Sequence, residues 1–146
     1  GVIEGEAARL AAYRKRLGAD TAILADLLVK HAAPLVPLDP AVAARDLCER
    51  SGAAGLILTG DRTGEPVDAA LLDTVRAAVG AFPIWLGSGL SAANAAALWP
   101  RCDGAIVGTS LKRGGDVRAP VEARRVRALV AALRSAERPA GARRRR

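Results

Sequence analysis

Two short motifs of glycine and hydroxyl residues are the part of this sequence best suited to hold a charged ligand. They are Gly87-Ser88-Gly89 and Gly108-Thr109-Ser110. Glycines let backbone N–H groups approach an anion closely, and hydroxyls add hydrogen-bond donors. The first motif precedes a short helix that we expect Ser91 to cap, which adds partial positive charge. Either motif alone fits an ordinary tight turn, but two after successive predicted strands favour a phosphate-binding site.

Asp26 and Lys30 form a second candidate site. Four residues apart on a strand, their side chains lie on the same face. If this face points into a barrel, Lys30 can act as an acid, a base or an electrophile, and Asp26 can keep it charged. A structural ion pair explains the pattern equally well. His31 is the only histidine and the third candidate catalytic residue, although a lone histidine is more often structural.

The loop from Thr59 to Pro66 can close over the same pocket. It offers Thr59 and Thr63 as donors and Glu65 as an acid or base, although its glycines also suit a plain turn. Lys112 follows the second glycine motif and is a further pocket candidate. The sequence has no His/Cys cluster with metal-ligand spacing, no nucleophile elbow and no Walker loop, so we expect no metal and no cofactor.

Alternating helical and strand-like segments must position these residues. Helices are predicted at about 4–17, from 39–40 to 51–52, from 68 to 80, after 91 as far as Pro100, and from Pro120; strands are predicted at about 21–30, 55–58, 83–86 and 105–107. This order predicts parallel strands joined by right-handed crossovers. The glycine-rich turn of a dinucleotide-binding fold is missing after the first strand, which favours a barrel. We therefore predict an α/β fold, the C-terminal half of a TIM-type (β/α)8 barrel with four parallel strands and about five helices.

Composition suits one partial β/α-barrel domain over residues 1–138, followed by a basic disordered tail at 139–146. The chain has 146 residues, 51% of them hydrophobic and 3% aromatic. Residues 118–146 hold ten arginines and two glutamates, so the basic charge belongs to the last helix and the tail. A solvated end is the favoured interpretation of the tail, and a contact with an anionic surface is the alternative.

Localisation and nucleic-acid binding are also constrained by composition. No apolar run approaches the roughly 18–20 residues that span a bilayer, and the start lacks a secretion signal, so we expect a cytoplasmic protein. Cys48 and Cys102 read as small buried residues of a reducing compartment. Stacking aromatic residues are nearly absent and no binding module surrounds the arginines, so specific nucleic-acid binding is the weakest hypothesis.

Several segments in combination resemble the BtpA/SgcQ family over about residues 1–133. They are Asp26-Leu27-Leu28-Val29-Lys30-His31, the loop Thr59-Gly60-x-x-Thr63-Gly64-Glu65-Pro66, Gly87-Ser88-Gly89 with Asn94, the run from Asp103 to Lys112, and the opening Gly1-Val2-Ile3-Glu4-Gly5 with Tyr13-Arg14. The resemblance implies an eight-stranded barrel related to phosphate-binding barrels, of which this chain holds the second half. Its cyanobacterial members imply a role in photosystem I biogenesis, while other members occur in organisms without photosynthesis.

Two functions follow as hypotheses. One is a barrel that binds phosphate or a phosphorylated small molecule, with or without an enzymatic reaction near Asp26 and Lys30. The other is a non-enzymatic assembly factor for a protein complex such as photosystem I, in peripheral contact with a membrane through its Arg-rich end. In both cases half a barrel leaves sheet edges and an apolar face exposed, so we expect pairing with the missing N-terminal half-barrel or self-association.

Overall fold

Four strands and five helices alternate along the chain in the computed structural model, which describes residues 2–29, 32–60 and 66–136. In chain order they are α1 (Ala7–Arg16), β1 (Leu24–Asp26), α2 (Pro40–Arg50), β2 (Gly55–Leu58), α3 (Ala69–Val79), β3 (Ile84–Leu86), α4 (Ala95–Leu98), β4 (Gly104–Ala105) and α5 (Ala123–Ala136). The predicted element order is confirmed. Residues 137–146, with the predicted tail, lie outside the described residues.

Capping residues fix the limits of the two central helices. Asp39 Oδ1 accepts a hydrogen bond from the N–H of Ala41 at 2.8 Å, and the next residue, Pro40, is the first of α2. Asp68 caps α3 in the same way, through Ala70 at 3.0 Å. A positive φ of 59° at Gly80 ends α3, a conformation that favours glycine. These boundaries agree with the prediction because local side-chain chemistry sets them.

The strands form one parallel sheet in the order β1-β2-β3-β4. The register places four residues in one row across it: Asp26, Ile57, Trp85 and Gly104. Since every connection advances to the adjacent strand, right-handed crossovers bring the connecting helices α2, α3 and α4 to one face of the sheet, where α5 also packs. A doubly wound sheet would instead reverse its strand order and carry helices on both faces. The structure is α/β and consistent with a partial barrel.

The core lies between the sheet and these helices. Four strand residues on the covered face are fully buried, namely Leu56, Leu58, Ile84 and Leu86. They join a single cluster with one or two residues from each of the last four helices: Ala44, Leu72, Val75, Leu98 and Leu129. Leucine, isoleucine and valine fill this layer, as the low aromatic content predicts.

The opposite face of the sheet carries no helix in the described part of the chain. Ile57 and Trp85 are only half-buried, Asp26 is exposed, and Ile106 just beyond β4 is 51% exposed. The indole of Trp85 lies over Gly104, where a Cβ atom would be 2.7 Å from two ring carbons. Glycine at 104 therefore makes room for the tryptophan on this open face.

Several predicted boundaries are wrong. The last strand, predicted at 105–107, is Gly104–Ala105. The first strand is three residues rather than ten, because β1 is an edge strand that pairs only with the short β2. Helix α4 begins at Ala95, and Ser91 does not cap it. Helix α5 begins at Ala123 rather than Pro120, since residues 120–121 pair with Lys112 and its neighbour in extended backbone. Pairing with another segment decides the limits of the first strand and of α5, whereas local hydrogen bonds between Ser91 and Asn94 accompany the difference at α4.

Arg76 on α3 ties together the amino ends of β3 and β4. Its guanidinium donates to the carbonyls of Gly80, Phe82 and Arg101 and to the carboxylate of Asp103 at 2.5 Å.

No helix in the described ranges is both long and apolar enough to cross a membrane.

Candidate functional site

A cleft of about 440 Å³ opens between the loops that follow β3 and β4. It therefore lies beyond the carboxyl ends of two adjacent parallel strands, where β/α folds place their ligands. Most of the residues that line it come from these two loops, and Pro66 comes from the segment before α3. They are Pro66, Gly87, Ser88, Gly89, Leu90, Ser91, Asn94, Ile106, Gly108, Thr109, Ser110 and Gly115. All six residues of the two predicted phosphate motifs lie here.

Ser88 carries the clearest sign of an unmet hydrogen-bonding need. Its Oγ is buried and has no hydrogen-bond partner among the residues that the structure describes. A buried hydroxyl without a partner costs roughly 1–3 kcal/mol, and such groups in native proteins call for an explanation. A ligand oxygen in the cleft would supply the missing partner.

Backbone N–H groups add further donors around the cleft. Those of Gly89, Gly108, Thr109 and Ser110 donate to no acceptor within the described part of the chain. Gly89 has a φ of 77°, which favours glycine and turns the loop back on itself. Successive unpaired N–H groups in such a loop form a concave site suited to an anion.

Hydrogen bonds between side chains and backbone hold the two loops in place. Ser110 Oγ donates to the carbonyl of Leu90 at 2.7 Å and joins the loop after β4 to the loop after β3. Asn94 closes the first loop: its Oδ1 accepts from the N–H of Ser91 at 2.8 Å, and its Nδ2 donates to the carbonyl of Gly89 at 2.8 Å. Sequence reasoning missed this role of Asn94, although the Ser-x-x-Asn spacing signals such a turn.

The glycines at 87 and 108 serve different purposes. A Cβ atom at Gly87 would collide with Thr59 Oγ1 and lie 2.7 Å from Ile57 Cγ2, so glycine there allows β3 to approach β2 closely. A Cβ atom at Gly108 would meet nothing within 4 Å. Packing therefore explains Gly87 and leaves Gly108 unexplained by its protein neighbours. Thr59 packs beside the cleft and does not line it.

No charged side chain lines the cleft among the described residues. Lys112, predicted to be a pocket residue, is not part of the lining, and its Nζ donates to the carbonyl of Val117. Close to the second loop, Arg125 donates to the carbonyl of Ser110 at 3.4 Å and pairs with Glu122 at 2.9 Å. Hydrogen bonds from Arg124, and then from Arg125, lower the pKa of Glu122. A ligand would be held by neutral donors.

Of the predicted catalytic residues, the structure describes Asp26, and Asp26 does not line the cleft. Asp26 lies at the carboxyl end of β1 on the open face, exposed and forming no ion pair with a described residue. Lys30 and His31 lie outside the described residues, as do Thr63 and Glu65. Their roles stay predictions.

The described residues contain no metal-ligand cluster, and both cysteines are free thiols. Within residues 2–29, 32–60 and 66–136, no three His, Cys, Asp or Glu side chains are grouped to hold a metal ion. Cys48 and Cys102 are both half-buried free thiols, and burial raises the pKa of each, to about 11 for Cys102.

Comparison with known proteins identifies relatives of the whole described region. A photosystem I biogenesis protein BtpA of Synechocystis is 41% identical over 133 residues, which cover 91% of this chain and 46% of that protein. Uncharacterized proteins of Pyrococcus furiosus and Archaeoglobus fulgidus are 40% and 39% identical, over 89% and 92% of this chain and 48% and 51% of their own lengths. The chain thus spans about half the length of the curated relatives it matches.

No solved structure gives a significant match. The model of the BtpA family matches residues 1–135. That match covers nearly the whole chain, and the resemblance inferred from the motifs is confirmed. The chain belongs to the BtpA family.

Proposed function

We propose that this protein binds the phosphate group of a small phosphorylated metabolite in the cleft between the loops after β3 and β4. The buried Ser88 hydroxyl without a partner carries the proposal, because Ser88 lines a donor-rich cleft and its hydroxyl has no hydrogen-bonding role in the described chain. Hydroxyl and N–H groups can together surround a tetrahedral anion. No carboxylate lines the cleft to repel it among the described residues.

The sheet that carries the cleft is, we infer, half of an eight-stranded β/α barrel. Sequential strand order, helices on one face only and an open second face support this inference. In such barrels phosphate sites are commonly built from the loops after the last two strands. The cleft follows the last two strands of this chain, so the proposed site and the proposed fold agree.

A chemical step on the bound metabolite would fall to Asp26. This described ionisable residue lies on the open face at the carboxyl end of β1, and the cleft lies beyond the carboxyl ends of β3 and β4. A carboxylate there can act as an acid or base. Lys30 and His31 follow it in sequence and would complete the catalytic group. If this is so, Asp26→Asn abolishes turnover of a sugar phosphate while phosphate affinity changes less than about twofold.

Titration with inorganic phosphate, followed by calorimetry and amide NMR shifts, tests binding directly. We expect shifts at residues 87–91 and 106–110. Gly108→Val should weaken binding at least about tenfold, since its side chain would occupy the site of close backbone approach. Gly5→Val is the matched control, because a Cβ atom there also meets nothing within 4 Å.

Ser88→Ala gives a second, milder test. It removes the unpaired hydroxyl, so it should weaken phosphate binding without lowering the melting temperature, whereas loss of a structural hydrogen bond would lower it. Unchanged phosphate affinity in both Ser88→Ala and Gly108→Val would refute the cleft as the binding site.

A second function, as an assembly factor at a membrane surface, is favoured by the name of the Synechocystis relative, a photosystem I biogenesis protein, and by the basic outer face of α5. Arg124, Arg127 and Arg134 are exposed there, and anionic lipid attracts such a surface. Sedimentation with vesicles that contain phosphatidylserine, abolished by changing these arginines to glutamine, would support this function. Equal sedimentation of the variant would exclude a basic membrane contact through α5.

A further inference from the structure

Helix α1 presents an apolar stripe that nothing in the described chain covers. Leu10, Tyr13 and Leu17 recur at helical spacing and are 49%, 51% and 60% exposed, and no residue of α1 is buried. Among the described residues, the side-chain hydrogen bonds from α1 to later segments come from Arg14, which donates to the carbonyls of Thr21 and Gly52 at 3.4 Å. Amphipathic helices bury such a stripe against another element.

The sheet is incomplete at both of its edges and on one face. β1 and β4 are its two edge strands, and each has one strand neighbour in the described chain. The open face between them bears Ile57, Trp85 and Ile106, none of them buried. Free strand edges and exposed apolar side chains of this kind are sites of association.

A count of helices indicates what covers these surfaces. In a closed barrel each groove between adjacent strands is covered by the helix that connects them, so eight strands need eight helices. This chain has a helix before β1, three between its strands and one after β4. It therefore brings the helices for both of its outer grooves, and its complement needs four strands and only three helices. A second copy would bring two helices to each junction.

We propose that the α1 stripe, the free edges of β1 and β4 and the open sheet face form one continuous interface for a complementary half-barrel of four strands and three helices. The inference rests on the barrel proposed above and not on the phosphate site. The length of the relatives supports this occupant, since the matched region is 46–51% of three of them and about as much chain lies outside it. In this arrangement the last strand of the complement lies under α1, and its first strand lies under α5.

Mixing the 146-residue chain with the part of the Synechocystis relative outside the matched region tests the proposal. We expect a one-to-one complex by light scattering, with slower amide hydrogen exchange at residues 7–17, 24–26 and 104–106. Tyr13→Glu should weaken the complex at least about tenfold, the effect of an ordinary interface anchor. Ala8→Glu, on the opposite side of α1, is the matched control and should change affinity less than about twofold.

The outcomes separate this inference from the barrel itself. A stable two-fold homodimer that protects the same segments would overturn the inference and leave the barrel. The inference would also be overturned if this chain formed no complex under conditions in which the two parts of the Synechocystis relative do reassemble. Failure of those two parts to reassemble would refute the barrel as well. Equal effects of Tyr13→Glu and Ala8→Glu would remove α1 from the interface.

Discussion

Removing the carboxylate of Asp103 should destabilise the protein more than an ordinary surface ion pair can explain. Asp103 Oδ2 accepts from Arg76 at 2.5 Å and from the N–H of Ile84 at 2.9 Å. Ile84 is fully buried at the start of β3, so its N–H needs a protein acceptor. Asp103 also donates its own N–H to the carbonyl of Ile84 at 2.8 Å, which makes the contact between the two strands reciprocal.

The magnitude follows from these two contacts. An orphaned buried N–H costs about 1–3 kcal/mol. The ion pair adds only about 0.2–1 kcal/mol, since the Asp103 side chain is 50% exposed and water screens the charges. We therefore expect Asp103→Ala to lower the free energy of unfolding by about 1–4 kcal/mol. Asp103→Asn keeps an oxygen acceptor for Ile84 and should cost at most about 1 kcal/mol.

Urea denaturation followed by circular dichroism measures both variants. Asp73→Ala is the matched control, because Asp73 forms an exposed ion pair with Arg101 at 2.7 Å and accepts no backbone N–H among the described residues. Its expected cost is about 0.2–1 kcal/mol. If the free energies of unfolding of Asp103→Ala and Asp73→Ala differ by less than about 0.5 kcal/mol, the contacts of Asp103 with Arg76 and Ile84 are no stronger than a surface ion pair and our reasoning is wrong.

Two further predictions concern the open face and the buried thiol. Gly104→Ala should lower the free energy of unfolding by about 1–3 kcal/mol in thermal or urea unfolding, because its Cβ would lie 2.7 Å from the Trp85 ring. Gly5→Ala is the control and should change stability by less than about 0.5 kcal/mol. Equal effects of the two substitutions would show that the indole moves aside freely. Burial, and then the charge of Asp103, raises the pKa of Cys102 from 9.0 to about 11, so at pH 8 its thiolate is about 100-fold less populated in the folded protein than in the unfolded one. Iodoacetamide should therefore alkylate Cys102 far more slowly in the folded than in the urea-unfolded protein. The stability that this protonated thiol contributes is present below about pH 9 and lost as the pH rises toward about 11, and a variant with alanine at 102 should lack that loss.

Helix limits were predictable wherever one residue's chemistry sets them. Asp39 with Pro40, Asp68 and Gly80 act through hydrogen bonds or backbone preferences that span at most a few residues, and the structure agrees with each. Ser91 was misassigned because Asn94 competes for its N–H and hydroxyl. The start of α5 was misplaced because residues 120–121 pair with residues 112–113, a contact that no local pattern reports.

The candidate site shows the same division. Glycine and hydroxyl spacing after predicted strands was enough to select six of the twelve residues that line the cleft. The sequence did not reveal that the Ser88 hydroxyl lacks a partner, that Ser110 joins one loop to the other, or that Lys112 turns toward Val117. These facts depend on atoms that are distant in sequence and meet only after folding.

The sequence by itself determined the order of strands and helices, the helix caps and the family, because these depend on local periodicity, capping chemistry and motif spacing. Only the tertiary structure decided which face of the sheet is covered. Leu56 and Ile57 are adjacent and equally apolar, yet the sheet's alternation buries the first under the helices and leaves the second on the open face. The strand order fixed that choice, since sequential right-handed crossovers place every connecting helix on one side.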